Sequence, residues 1–213
     1  MKNYKVLRIL VLVGLASMML TSCEQDADIL TDGADATASD ANILAAPPAH
    51  AGQDLVVQLK GTADAELRDF PDGIPNTPGG ESNGLCFDID LIDLKTGKVV
   101  GTATDCLSEI TPVGAEGGVK LIGTTIFRFK NGMIVSRGAT TVQPVTTDPP
   151  TPTPVTHITG AIPVPGTNSI LHGTKRYSKA TGSVRLSGSV DMSSFAGEGT
   201  PITFDCLFVI DFD

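Results

Sequence analysis

Apolar and polar residues alternate over several short segments, and this two-residue period is the feature that most constrains the fold. The segment 85–94, LCFDIDLIDL, is the clearest case. Its odd-numbered residues from Leu85 to Leu91 fall on one face of an extended chain, whereas Asp88 and Asp90 fall on the other. A strand with one apolar face predicts a sheet that covers a core on one side only.

Similar segments follow one another along the chain, and turn residues separate them. Asn131-Gly132 lies between two of these segments and is the dipeptide most typical of a tight hairpin. No segment after residue 23 carries a helical stripe of useful length. The predicted strands are 54–59, 85–94, 98–106, 120–130, 133–141, 157–162, 169–171, 183–191 and 203–212. Such a succession, with 23 glycines and no tryptophan, predicts an antiparallel sandwich or barrel.

Residues 1–22 have the pattern of a bacterial export signal. Lys2, Lys5 and Arg8 precede an apolar run of about 12 residues, which is shorter than the roughly 20 that a membrane span needs. The stretch 20–23, Leu-Thr-Ser-Cys, resembles a lipobox. The resemblance implies that the chain is cut before Cys23 and that Cys23 carries the lipid of a membrane anchor. An ordinary signal peptide with a chance cysteine is the alternative.

The sequence after the signal divides into two parts. Residues 23–52 are acidic and low in hydrophobicity, which predicts a flexible, disordered tether. Residues 53–213 are numerous enough for one domain with a core of its own. Removal of the three positive charges of the signal leaves a net charge of about −12, from −9 for the whole chain. This charge excludes the basic footprint of a nucleic-acid-binding protein.

Two stretches rich in proline interrupt the strand pattern. The segment 142–156, VQPVTTDPPTPTPVT, is predicted to be a loop because proline fixes φ and removes a backbone donor. It is either a ligand loop or docking strip, or a stiff solvated loop over one end of the barrel. The segment 69–83 is predicted to be a second irregular loop.

The cysteines predict one disulfide. With Cys23 assigned to lipid, three cysteines remain in an oxidising compartment. A three-residue turn at 95–97 would place Cys86 directly opposite Cys106, within the reach of a disulfide. A four-residue turn would remove this match. Cys206 lies on an apolar strand face and is predicted to be a small buried side chain rather than a nucleophile.

Three stretches together resemble the barrel family that includes plant allene oxide cyclases and dirigent proteins. They are FDIDL at 87–91 with TGKVVG at 96–101, FRFKNGMIVSRG at 127–138, and HITG at 157–160 with ILHGTKRYSKATG at 170–182. The resemblance covers roughly residues 53–213 and implies a closed, eight-stranded antiparallel barrel, often trimeric, that binds an apolar small molecule inside. The family's Gly-Gly-Thr-Gly is His172-Gly173-Thr174-Lys175 here, so two glycines are replaced.

Two residues are candidates for ligand binding. The resemblance carries over one cavity acid, Asp88, by its place in the first acidic strand. The alternation puts Asp88 outside the barrel if Phe87 faces in, whereas a trimer interface that buried the Phe87 face would reverse this. Arg128, between Phe127 and Phe129, is the second candidate. It is exterior if those two rings point inward, whereas an inward guanidinium would receive an acidic ligand.

Other chemical signals are weak. His157 and His172 have no companions at ligand spacing, so no metal site and no cofactor are predicted. Lys175-Arg176 with Lys179 forms a basic patch that either binds an acidic ligand or is a solvated corner. The sequence contains no nucleophile elbow and no phosphate loop, and no catalytic residue is assigned.

The sequence therefore predicts a lipid-anchored barrel of the bacterial cell envelope, at the outer membrane, that binds a small apolar molecule or an envelope partner. The alternative is a cyclase- or isomerase-type enzyme. A cavity of about 300 Å³ or more with one or two inward polar groups would favour a ligand. A barrel filled by Phe and Leu would favour a structural or interaction role.

Overall fold

The computed structural model describes residues 54–114, 117–145 and 155–213. These residues form ten strands and a single turn of 3-10 helix, Lys175–Tyr177. The strands are β1 Leu55–Asp64, β2 Glu66–Asp69, β3 Asn83–Asp93, β4 Val99–Val113, β5 Gly118–Phe129, β6 Gly132–Pro144, β7 His157–Pro163, β8 Ile170–Gly173, β9 Gly182–Asp191 and β10 Pro201–Phe212. The predicted signal, Cys23 and the predicted tether lie outside the described residues.

Eight of the strands close into an antiparallel barrel. They pair in the order β1-β10-β9-β7-β6-β5-β4-β3, and the pairing of β1 with β3 completes the ring. The two additional strands lie beside it: β2 pairs with the start of β3, and β8 pairs with the start of β6. The predicted closed eight-stranded barrel is confirmed.

The apolar faces of the strands point into the barrel. Phe87, Ile89 and Leu91 are all buried in the core, so the even-numbered acids of β3 face outward. Phe87 packs edge to face on Phe204 of β10, with ring centroids 5.2 Å apart. The alternation therefore predicted the correct face of this strand.

Aromatic rings fill one end of the barrel, which we call the closed end. Phe127 packs edge to face on Phe208, and Tyr177 stacks on Phe212 with ring centroids 6.1 Å apart. Phe129 contacts both Phe127 and Tyr177. The closed end carries the β3–β4 and β5–β6 turns and the 3-10 turn. The opposite end, where β4 connects to β5 and β9 to β10, is the open end.

Gly173 is the glycine on which the 3-10 turn depends. A Cβ at this position would fall on the carbonyl carbon and oxygen of Tyr177. Without a side chain, the backbone of β8 packs directly on the turn and holds the Tyr177 ring over the core. This is the one position at which the sequence keeps a glycine of the Gly-Gly-Thr-Gly pattern.

The β3–β4 turn is one residue longer than predicted. The Asp93 N–H donates to the Lys98 carbonyl at 2.9 Å, and the Gly97 N–H donates to the Asp93 carbonyl at 2.8 Å. Residues 94–97 therefore form a four-residue turn. The prediction of a three-residue turn was wrong, because the positive φ of Gly97, 66°, is compatible with either length.

A β-bulge corrects the register immediately after this turn. The pairing shifts by one between Leu91 and Ile92, because Val100 on β4 has no counterpart on β3. Beyond the bulge, Cys86 lies opposite Cys106, and the two are joined by a disulfide with their Cα atoms 4.0 Å apart. The predicted disulfide is confirmed. It arises from a four-residue turn followed by a bulge, whereas the prediction used a three-residue turn followed by regular pairing.

Two other connections also differ in detail from the sequence pattern. The β5–β6 hairpin forms where it was predicted, but its two-residue turn is Lys130 and Asn131 rather than Asn131 and Gly132, because Gly132 pairs with Phe129. Strand β6 continues to Pro144, which lies opposite His157 of β7. The first three residues of the predicted 142–156 loop are thus paired, and residues 146–154 lie outside the described part of the chain.

The loop 70–82 covers part of the outer wall. The buried Arg137 guanidinium donates to the carbonyls of Pro75 and Asn76, each at 2.8 Å, and to the Thr124 hydroxyl at 2.9 Å. The Phe70 ring lies 5.4 Å from the guanidinium carbon. Since Arg137 is on β6 and the loop leads into β3, the loop spans the wall between them, where the disulfide lies.

Candidate functional site

A cavity of about 120 Å³ lies inside the barrel, above the aromatic rings of the closed end. Its wall is mostly apolar and comes from seven of the eight barrel strands, all except β3. Representative lining side chains are Leu59, Leu121, Val142, Val184, Val190 and Phe204. Met192 and Phe195, in the β9–β10 connection, border it at the open end. The interior is therefore a cup with an aromatic base.

One carboxylic acid among the described lining residues projects into this cavity. Asp105 lies on β4 directly opposite Phe87, so it shares the inward face, and only 7% of it is exposed. The Thr125 hydroxyl of β5 donates to its Oδ1 at 2.7 Å. Burial raises the pKa of Asp105 to about 6, against the opposing effect of the Thr125 hydrogen bond.

Three further polar side chains lie near this acid. Thr125 and Ser136 face each other across β5 and β6, and both line the cavity. Cys206 of β10 is free and buried, as predicted. Burial raises the pKa of its thiol to about 12, and the charge of Asp105 acts in the same direction. Cys206 therefore stays protonated and is a poor nucleophile.

The arrangement suits a ligand with an apolar body and one polar group. A protonated Asp105 can donate a hydrogen bond to a carbonyl or hydroxyl oxygen, and an ionised Asp105 can accept one from a hydroxyl or an amine. With a pKa of about 6, both forms are accessible near neutral pH. The apolar wall excludes water, which strengthens either hydrogen bond.

The cavity is smaller than the sequence argument required for a drug-sized ligand. Its volume of about 120 Å³ is below the roughly 300 Å³ from which such sites usually start. It is close to the roughly 150 Å³ of an apolar cavity that binds benzene in another protein. The enclosed volume therefore fits a single ring or a short chain, and a longer ligand would extend through the open end.

Asp88 and Arg128, the two predicted ligand-binding residues, both lie on the outer wall. The Arg68 guanidinium and the Thr104 hydroxyl donate to Asp88 at 2.7 Å and 2.5 Å, and Arg128 donates to the same hydroxyl at 2.6 Å. Partial burial acts to raise the pKa of Asp88, but the hydrogen bonds from Thr104 and Arg68 outweigh it and lower the pKa. Neither side chain lines the cavity.

Asp105 was missed by the sequence reasoning, although the hairpin contained the necessary signal. The pairing that places Cys86 opposite Cys106 also places Phe87 opposite Asp105. Directly opposed residues share a face of the sheet. An inward Phe87 therefore implies an inward Asp105.

The two histidines of the domain, His157 and His172, do not belong to a metal site among the described residues. Within residues 54–114, 117–145 and 155–213, no three His, Cys, Asp or Glu side chains are grouped so that they could hold a metal ion. His157 instead shares a 2.8 Å hydrogen bond with the Thr156 hydroxyl.

Across the same described ranges, no helix has the length and apolar character needed to cross a bilayer.

No protein-family model matches this chain, and no curated protein matches it either. The resemblance to allene oxide cyclases and dirigent proteins therefore remains a prediction from the sequence, as does a trimer.

Proposed function

We propose that this protein is a lipid-anchored barrel of the bacterial cell envelope that binds a small, largely apolar molecule with one polar group. The observation that carries this proposal is the Asp105 carboxyl group inside an apolar cavity. The ligand's apolar body occupies the cup, and its polar group meets Asp105. The predicted outer-membrane location places the cup where it can take such a molecule from the envelope.

The energetics of Asp105 support a binding role. A buried carboxylate without a cation costs free energy, and none of the ion pairs in the described residues includes Asp105. Its described side-chain partner is the Thr125 hydroxyl, which compensates only in part. Groups of this kind, in a cavity and with a displaced pKa, concentrate at functional sites.

Filling the cavity tests the binding site directly. Ala161 of β7 lines the cavity, and Ala161→Leu adds three carbon atoms to a space of about 120 Å³. We expect the variant to remain folded and to lose the small molecule that native mass spectrometry detects on the wild-type protein purified from its own host. Ile162→Leu is the matched control, because Ile162 faces outward and is 61% exposed. A wild-type chain without a bound molecule, or equal retention by Ala161→Leu, would contradict the proposal.

The lipid anchor requires its own test. The stretch 20–23 supports acylation of Cys23, and more than one acyl chain gives stable membrane attachment, at about 0.8 kcal/mol for each buried CH₂ group. We expect metabolic labelling with an alkyne fatty acid to mark the wild-type protein and not Cys23→Ala. The wild-type chain should also be recovered with membranes. Equal labelling of both chains, or a wild-type chain recovered free of membranes, would exclude the anchor.

The second candidate function is a cyclase- or isomerase-type reaction. The specific observation in its favour is again Asp105, whose raised pKa of about 6 is suited to general acid or base catalysis near neutral pH. Asp105→Asn separates the two roles once the bound molecule is known. A binding role predicts weaker retention of an unchanged molecule, whereas an enzyme would lose turnover of a molecule that it still binds.

A further inference from the structure

The closed end of the barrel carries most of the lysines of the described chain. Seven lysines follow residue 53, and five of them lie in three connections at this end. They are Lys95 and Lys98 between β3 and β4, Lys130 between β5 and β6, and Lys175 and Lys179 between β8 and β9. All five are exposed, and none belongs to an ion pair within the described residues.

The charge balance differs between the two ends. At the closed end, Arg176 and Arg185 join the five lysines, against the acids Asp54, Asp93, Asp211 and Asp213. That gives seven cations and four acids, or a net charge of about +3. The open end has seven acids, Asp64, Glu66, Asp69, Glu81, Glu109, Asp191 and Glu198, beside the cations Arg68 and Lys120. An acidic domain therefore has one basic end.

Two large apolar side chains are exposed among these lysines. Leu94 is 49% exposed and Val99 is 59% exposed, and they flank Lys95 and Lys98 in the β3–β4 connection. Exposed apolar groups beside lysines are typical of surfaces that lie in the headgroup region of a bilayer. The lysine stems add apolar surface while their ammonium groups reach the phosphates.

The chain also enters the barrel at this end. Strand β1 begins at Leu55, which lies opposite Ile210 near the end of β10. The sequence before residue 54, which includes Cys23, therefore joins the domain at its basic end. A chain anchored through Cys23 would bring this end towards the membrane first.

We infer that the closed end is a docking face for an anionic lipid bilayer, with the open end of the cup directed away from the membrane. The inference rests on the proposed anchor for its proximity to a membrane. Each lysine near an anionic membrane contributes about 1 kcal/mol to the free energy of binding. This attraction decays over about 10 Å from the membrane surface at 0.1 M salt. The acidic open end is repelled by the same surface, so charge fixes the orientation.

Coupling the chain to vesicles tests this face without depending on acylation. The chain from residue 23 onward is attached through the Cys23 thiol to a maleimide lipid, in vesicles of phosphatidylcholine with or without about one-third phosphatidylglycerol. Acetylation of each lysine by a succinimidyl ester is then followed by mass spectrometry. Lys60 and Lys120, away from the closed end, are internal controls.

On anionic vesicles we expect the five closed-end lysines to react about fivefold more slowly relative to Lys60 and Lys120, which corresponds to about 1 kcal/mol each. The difference should disappear in about 1 M salt and on pure phosphatidylcholine. Lys95→Gln with Lys98→Gln should restore the reactivity of the remaining three. Lys60→Gln with Lys120→Gln, the matched charge change elsewhere, should not.

Three results would overturn the inference. They are equal reactivity of all lysines on anionic vesicles, stronger protection of Lys120 than of Lys95, and the same protection on both kinds of vesicle. Because the maleimide supplies the attachment, these results are separate from a failure of Cys23 to be acylated in the cell.

Discussion

Asp105→Asn is expected to raise the free energy of unfolding by about 3 kcal/mol at about pH 7.5. In the unfolded chain the pKa of this aspartate is 3.8, and in the barrel it is about 6. The folded protein therefore binds more protons than the unfolded chain between these values, and its stability falls as the pH rises through them. At about 1.4 kcal/mol per pH unit, the ionised side chain costs about 3 kcal/mol, which asparagine avoids.

The pH dependence distinguishes this cause from a change in packing. Urea unfolding of wild type and Asp105→Asn should differ most above about pH 6 and least below about pH 4, where the wild-type acid is protonated in both states. An unpaired amide N–H in the variant would reduce the gain by about 1 kcal/mol or more at every pH. A variant that is less stable than wild type at pH 7.5, or a difference independent of pH, would contradict the expectation.

Asp88→Asn serves as the matched control for Asp105→Asn, because it is the same substitution on the neighbouring strand. Asp88 lies on the outer wall, and its pKa is lowered by Thr104 and Arg68. Ionised Asp88 therefore stabilises the folded protein at neutral pH, and this stabilisation is lost as the pH falls. The Asp88→Asn control should be less stable than wild type at neutral pH. If Asp105→Asn raises the free energy of unfolding and Asp88→Asn lowers it, the inward acid is kept at the expense of stability. That is the usual mark of a functional residue.

Removing the disulfide is expected to cost about 3 kcal/mol of unfolding free energy, since the Cys86–Cys106 bond closes a loop of about 20 residues in the unfolded chain. The double variant Cys86→Ala with Cys106→Ala should lose this amount in urea unfolding. Addition of a reductant should destabilise the wild-type chain by a similar amount and leave the double variant unchanged.

A thiol count provides the check on this second expectation. In a Cys23→Ser chain unfolded without reductant, one free thiol, that of Cys206, should react. Three reactive thiols would mean that the disulfide does not form. Equal stability of the double variant and wild type would mean that the β3–β4 pairing and the loop 70–82 hold this wall without it.

The barrel could be predicted from the sequence because the alternation of apolar and polar residues and the hairpin turns are local patterns. The alternation in β3 placed Phe87 inside, and the hairpin pairing placed Cys86 opposite Cys106. Strand β2 was missed because Glu66–Asp69 has no apolar face: three of its four residues are exposed, and it pairs only with the start of β3 outside the ring. A strand that buries nothing leaves no hydrophobic pattern.

The candidate site was predicted less well than the fold. Asp105 lies in a run of alternating small and polar residues on β4, so its own strand does not indicate which face points inward. Its placement follows only when the register with Phe87 is applied to β4. The cavity volume depends on how side chains from all eight barrel strands fill the interior, which no single segment determines. The basic end likewise results from connections far apart in sequence.

The turn at 94–97 and the bulge at Val100 have a consequence for how this sequence can diverge. A four-residue turn shifts the pairing by one residue, and the extra residue in β4 shifts it back. Paired losses, one residue from the turn and Val100 from β4, would leave Cys86 opposite Cys106 and Asp105 inside the cup. Homologous barrels can therefore differ by two residues in length here and keep the same interior. An alignment that places either gap after Asp105 would assign the cavity acid to the wrong column.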